Sequence, residues 1–169
     1  MIKLEKISEI YFDSLKEMKQ DYIENAEGRI QGSGALEKYN DLNEWFKSIN
    51  RIEQGLDNNV DKCYYYLVVL EKEVIGTMCY RPILTESLFD FGGQIGYSIK
   101  PSQRKKGYMS QALKLLLNEI KEDVIIMTEV NNIASNKIII KSGGVLIDTV
   151  IKYGLNINRY KISATDSCY

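Results

Sequence analysis

The chain contains no histidine. That absence removes Ser-His-Asp and Cys-His catalysis and every His-ligated zinc site, leaving carboxylates, hydroxyls, amines, backbone amides and water for any chemistry. Cysteine is scarce and odd in number (Cys63, Cys79, Cys168), so no disulfide framework is expected. Cys79 lies in an apolar run and reads as a small core residue. Proline occurs twice, at Pro82 and Pro101, and no Pro/Ser-rich linker, repeat or low-complexity tract divides the chain. No apolar run approaches the roughly 20 residues that span a bilayer, so no membrane partner is expected. The opening segment lacks the apolar core and cleavage site of a signal peptide, which makes the cytoplasm the expected location. An excess of either charge is also missing: 22 Lys and Arg face 23 Asp and Glu, and this balance argues against a nucleic-acid partner.

What is present is an ordinary globular composition, 44% hydrophobic and 27% charged. A chain of 169 residues fits one domain, expected over 1–169, and buries roughly 70% of its unfolded surface without metal or disulfide. Ile2, Leu4 and Ile7 mark a first strand, and Tyr11, Leu15, Met18 and Tyr22 recur at helical spacing. A glycine-bearing loop from Gly28 to Gly34 precedes a second helix. Asp41 with Glu44 three residues on predicts a capping box, and Leu42, Trp45, Phe46, Ile49 and Ile52 form the apolar stripe. Runs from Tyr64 to Leu70 and Val74 to Tyr80 read as a hairpin.

A loop is expected from Arg81 to Gly93, then a strand from Gln94 to Ile99 ended by Pro101. Met109, Ala112, Leu113, Leu116 and Ile120 mark an amphipathic helix. Asp123 to Val130 reads as a strand and Ile133 to Ser142 as a short helix, although three consecutive isoleucines (138–140) favour strand. Val145 to Tyr153 and Ile157 to Ile162 close the chain as a hairpin around Gly154. The order β-α-α-β-β-β-α-β-α-β-β predicts an α/β fold with a mixed, mostly antiparallel sheet flanked by helices.

The chemistry concentrates in the stretch from Ile99 to Ser110, which leaves a strand, passes Arg104, Lys105, Lys106 and Gly107, and enters a helix at Tyr108, Met109 and Ser110. Such a junction aims unpaired N–H groups and the positive end of a helix dipole at one point, and glycine lets a phosphate approach the backbone. Neither a Walker A nor a dinucleotide fingerprint is present. A solvated basic turn before a helix fits the same residues.

The segment Arg104-Lys105-Lys106-Gly107-Tyr108-Met109 resembles the pyrophosphate-binding signature of the GNAT superfamily of N-acetyltransferases, Arg/Gln-x-x-Gly-x-Gly/Ala. Asn132, Ser135 and Lys137, followed by Gly143-Gly144, resemble the second cofactor motif of that family, where an asparagine and a serine help hold the pantetheine arm. The run Gly92-Gly93-Gln94-Ile95-Gly96-Tyr97-Ser98-Ile99 and its continuation to Tyr108 is similar to a subgroup of predicted bacterial acetyltransferases. Three positions depart: Met109 replaces glycine or alanine, Ile139 stands where many members carry a tyrosine acid, and Gln94 where relatives of the subgroup often carry histidine.

The resemblance implies acetyl-CoA as co-substrate, no metal, and direct attack on the thioester by a primary amine of a small molecule or a protein. A homodimer is expected at family level only. An alkyl amine is almost wholly protonated at neutral pH, so a base is needed. Glu129 at a strand end is the candidate, with a held water, Asp90 and Glu86 as alternatives. A backbone N–H between Tyr97 and Ile99 would stabilise the oxyanion. Tyr97, Tyr108 and Tyr153 are candidates for the acid that Ile139 does not supply. Acidic residues Glu86, Asp90 and Asp148 would suit a cationic amine. The competing reading is a non-catalytic acyl-CoA sensor or docking module of the same fold.

Overall fold

In the computed structural model, which describes residues 1–164, the sheet is built in two parts. Strands β1 (Ile2–Lys6), β2 (Tyr64–Leu70), β3 (Glu73–Tyr80) and β4 (Ile95–Ile99) pair antiparallel in that order. Strands β5 (Val124–Glu129), β7 (Leu155–Ile162) and β6 (Val145–Lys152) form the second part, with β7 in the middle and both pairings antiparallel. Cys168 lies outside the described residues.

Among the described residues five α-helices join these strands: α1 (Phe12–Glu24), α2 (Leu42–Glu53), α3 (Glu86–Asp90), α4 (Tyr108–Ile120) and α5 (Ile133–Lys141). The expected order is therefore present with one addition. The segment 81–93, expected to be a loop throughout, contains the short helix α3. Thr85 caps it by accepting from the Leu88 N–H at 3.2 Å, and Leu88 is buried beneath it. The α2 cap also differs in detail. The Asp41 carboxylate accepts from the Asn43 N–H, two residues on, rather than from the third position of a box.

The two faces of the sheet are covered separately. On the first, α4 buries Met109, Ala112, Leu113, Leu116 and Leu117 against Val68, Ile75, Met78, Ile126 and Tyr160. On the second, α1 and α2 bury Leu15, Met18, Tyr22, Trp45 and Ile49 against Tyr65, Leu67 and Cys79. Each buried leucine, isoleucine, valine or methionine among them contributes about 1.5–3 kcal/mol relative to exposure. The Trp45 indole also donates to Ser33 O at 2.8 Å, which ties the loop 28–35 to α2. Ile138–Ile140 stay helical because Ile139 is fully buried in the first core and Asn132 caps the helix; packing overrides propensity. Among the described residues no helix is long and apolar enough to cross a membrane.

Candidate active site

The two parts of the sheet meet at the beginning of β4 and β5. Gln94 N–H donates to Ile125 O at 2.7 Å, and the Gln94 side-chain oxygen accepts from Ile125 N–H at 3.0 Å. Gly93 makes this approach feasible: a Cβ on it would lie 2.9 Å from Ile125 O. Beyond that point β4 has its ladder partner in β3 and β5 in β7, so the strands part. Farther along, the gap is crossed by side chains, where the Tyr97 hydroxyl and Ser135 Oγ lie 2.8 Å apart. Burial pushes the Tyr97 phenol up to about 12, with the Ser135 bond acting against it, so the ring keeps its proton at neutral pH.

Strand parity decides what faces this gap. Lys100 N–H donates to Ile75 O, and Arg81 N–H to Gln94 O. Hydrogen-bonded pairs with β3 therefore fall on even residues of β4, and Tyr97 and Ile99 turn their N–H groups the other way, into the gap. Side chains alternate likewise. Tyr97 points to the α4 and α5 face, while Gly96 and Ser98 face α1 and α2. In β5, Ile126 packs in the first core, which puts Glu129, three residues on, toward the second face. Tyr97 and Glu129 thus address the same gap from opposite faces of the sheet.

The loop after β4 has the backbone its sequence implies. A turn of 3-10 helix spans Pro101–Gln103, Lys105 has φ +63°, and Gly107 caps α4 with φ +76°. The first inward rung of α4 is Gln111 N–H to Gly107 O, so the N–H groups of Tyr108, Met109 and Ser110 precede the ladder. A Cβ on Gly107 would meet nothing within 4 Å, so the approach to these donors is open. Lys105 is exposed, and Lys106 donates to Gln103 at 2.8 Å. Met109 is turned into the core, so its bulk does not crowd the turn. Tyr108 packs against the same core.

Arg104 occupies a different position from the one its charge implied. Its guanidinium grips the Glu27 carboxylate at 2.5 and 2.7 Å, and its Nε donates to Ile99 O at 3.0 Å. Asp21 accepts from Ser102 N–H at 3.2 Å and also from the Ser102 hydroxyl. The end of α1 therefore holds this loop at two points, and the Arg104 charge is already balanced. The hydrogen bond from Arg104 keeps the Glu27 carboxyl below its ordinary range.

Across the gap, the Asn132 side chain accepts from Ser135 N–H at 3.1 Å and starts α5. Lys137 is exposed on the first turns of the same helix. A groove of about 690 Å³ lies between α4 and the end of α5, lined by Ser110, Gln111, Lys114, Lys141 and the Gly143-Gly144 turn. Sequence reading missed Asn136. Its buried amide donates to Glu129 O at 2.9 Å and Asn132 O at 2.8 Å, and accepts from Asn158 at 2.9 Å and Tyr160 at 2.7 Å. It binds the end of β5, α5 and β7 together and so sets where Glu129 stands. Its place within Asn132-x-x-Ser135-Asn136 was the available signal.

On the second face, α3 lies against the β6–β7 hairpin. The Arg159 guanidinium donates to Phe89 O at 3.1 Å, and the Phe91 and Tyr153 rings meet edge-on at 5.1 Å. Tyr153 is at the hairpin tip and strongly exposed, with φ +51°. Two of the three acidic residues expected to draw a cationic amine are engaged elsewhere. Asp90 pairs with Lys152 at 2.5 Å, and Asp148 with the Arg159 guanidinium. Glu86 lies exposed in the first turn of α3.

A sheet parted beside a strand–loop–helix junction with open N–H donors makes a site for an extended anionic ligand. The acetyltransferase (GNAT) domain family matches residues 16–145, and the chain belongs to that family. Solved structures agree in fold. RimL, a ribosomal L7/L12 α-N-protein acetyltransferase in complex with coenzyme A, superposes with TM-score 0.71 at 18% identity, over 96% of this chain and 95% of that one. RimJ of Mycobacterium smegmatis, in complex with a CoA disulfide, gives 0.74 at 12% identity over 99% and 84%. The microcin C7 self-immunity acetyltransferase MccE, in complex with acetyl-CoA and AMP, gives 0.68 at 18% over 96% and 92%. No curated protein sequence matches the chain.

Proposed function

We propose that the chain transfers an acetyl group from acetyl-CoA to a primary amine, with the diphosphate held at the start of α4 and the acyl end in the gap between β4 and β5. The observation that carries this reading is the open set of N–H donors at Tyr108, Met109 and Ser110 behind an unobstructed Gly107. The residues fit the cofactor: donors for a diphosphate, a parted sheet for an extended arm, and Asn132 and Ser135 on its far side. Lys105, Lys106 and Lys137 add positive charge near it. When bound, acetyl-CoA supplies an activated acyl group and a thiol leaving group.

The chain's own residues account for the rest. Glu129, on the second face, takes the proton that the acceptor ammonium must lose before its amine can attack. The Tyr97 and Ile99 N–H groups face the gap and stabilise negative charge on an acyl oxygen without reorganising. The Tyr97 hydroxyl, protonated at neutral pH, is the donor available to a departing sulfur, in place of the core-packed Ile139. Arg104 acts through Glu27 and Ile99 O to hold the loop in place.

Thermal unfolding with acetyl-CoA, ATP and NADH tests the cofactor assignment. A ligand at 100 times its Kd adds about 2.7 kcal/mol, roughly 5–10 °C here. A shift with acetyl-CoA alone is expected, followed by CoA release with an amine; no shift, or an equal one with ATP, refutes the reading. Acetyl-CoA binding with no turnover of any amine would favour the sensor alternative, which the ion-paired Arg104 and core-packed Ile139 leave standing.

A further inference from the structure

A cavity of about 620 Å³ opens on the second face of the sheet, between the loop 28–38 and strands β2 and β3. Its floor is Tyr65 and Cys79, paired across β2 and β3, and Arg81 just beyond the end of β3. Its roof is held firmly over β4. Gln31 O accepts from both Thr77 and Ser98 hydroxyls at 2.9 Å. Gly32 lies so close to Gly96 that a Cβ would fall 2.5 Å from the Gly96 carbonyl oxygen. The loop that roofs the cavity therefore packs on the stretch of β4 whose Tyr97 and Ile99 N–H groups face the gap, on the face toward which Glu129 turns.

The charge in this cavity has the opposite sign from the one expected of an amine site. Arg81, Arg29 and Lys38 line it against a single carboxylate, Glu37. Glu37 is turned to its own loop, accepting from Ile30 N–H and Ser33, both at 3.4 Å. Arg81 is the deepest of the cations and is half-buried. Of its five N–H donors, one reaches Gly93 O at 3.3 Å; Asp61 is the nearby carboxylate whose charge it feels, and among the described residues the two form no ion pair. An arginine fork on a cavity floor with most donors free is suited to a carboxylate.

Resting on the acetyltransferase reading, we infer that the acceptor is an amine bearing a carboxylate, whose anionic end is held by Arg81 while its amine reaches the gap beside Glu129. A polycation is disfavoured in this cavity by Arg29, Lys38 and Arg81, which line it. The carboxylate has two sources: the α-carboxylate of a free amino acid, or the acidic side chains behind a peptide's amino terminus.

The test is titration calorimetry of product-like probes on the protein saturated with CoA, in two matched pairs. One pair is N-acetylglycine and N-acetylglycinamide. The other is N-acetyl-Ser-Asp-Asp-amide and N-acetyl-Ser-Asn-Asn-amide. The carboxylate member of one pair is expected to bind at least about tenfold more tightly, and which pair does so names the source. Arg81→Met should erase that preference while CoA still binds, which also shows that the variant is folded; Arg81→Lys should restore it only in part. Equal or undetectable binding within both pairs overturns the inference, as does a preference that survives Arg81→Met. A wild type that binds no CoA sinks the transferase reading and this inference with it, whereas CoA binding without carboxylate preference sinks this inference alone.

Discussion

Replacing Gly107 by glutamine and by glutamate separates backbone strain from charge at the point where an anion is expected. Gly107 sits at φ +76°, where an L side chain costs about 1–2 kcal/mol. Since a Cβ there meets nothing within 4 Å, no clash adds to that cost. Both variants should therefore melt about 2–8 °C below the wild type and within about 1 °C of each other. They differ in one negative charge beside the bound diphosphate. For unit charges about 6 Å apart, repulsion is about 0.7 kcal/mol at an effective dielectric of 80 and about 2.8 at 20. Gly107→Glu should then bind acetyl-CoA about 3- to 100-fold more weakly than Gly107→Gln, with the gap narrowing in high salt. Isothermal titration of the two variants reads this directly. Equal affinities would refute the placement of the diphosphate at the start of α4.

Glu129→Gln should lower kcat by about 10²–10⁴ with acetyl-CoA affinity unchanged, read by steady-state CoA release and calorimetry; unaltered turnover eliminates it as base. The Arg104 bond lowers the Glu27 pKa, so that the stabilisation is present above the ordinary glutamate value near 4.3 and is lost as pH falls through the depressed one. Urea midpoints of wild type and Glu27→Gln should accordingly differ at pH 7 and converge toward pH 3, and a pH-independent difference would dismiss this account. Asn136→Leu takes the acceptor from the Tyr160 hydroxyl and one bond each from Asn158 and the Glu129 and Asn132 carbonyls, which keep their backbone donors, and should cost about 1–3 kcal/mol in chemical denaturation. A loss under about 1 kcal/mol would mean that these groups find other partners.

The elements that periodicity exposes were legible. The α2 stripe of Leu42, Trp45, Ile49 and Ile52 is buried as its spacing implies, and the turn at Glu71-Lys72 joins β2 to β3. Helix α3 was not legible, because five residues are too few to show a period and its evidence is a Thr85 cap and one buried leucine. Side-chain roles failed where the partner is distant in sequence. Arg104 reads as free charge until Glu27, 77 residues earlier, is brought beside it. Asp90 and Asp148 read as an attractive field until Lys152 and Arg159 neutralise them. Arg81 carried no motif, and its availability appears only once the cavity around it is formed.

The join between the two parts of the sheet has a consequence for acidity. One side chain completes it beside the backbone bond: the Gln94 oxygen accepts from Ile125 N–H while its amide nitrogen donates to Arg81 O at 3.3 Å. A neutral imidazole can also donate and accept at once, but on gaining a proton it becomes donor on both sides and forfeits the Ile125 contact. An amide has no proton to gain across that range. In a chain without histidine, the seam of the sheet therefore keeps the same hydrogen bonds in acid as at neutrality, and acid acts on paired carboxylates, such as Glu27 at the anion loop and Asp148 beside Arg159, rather than along the spine.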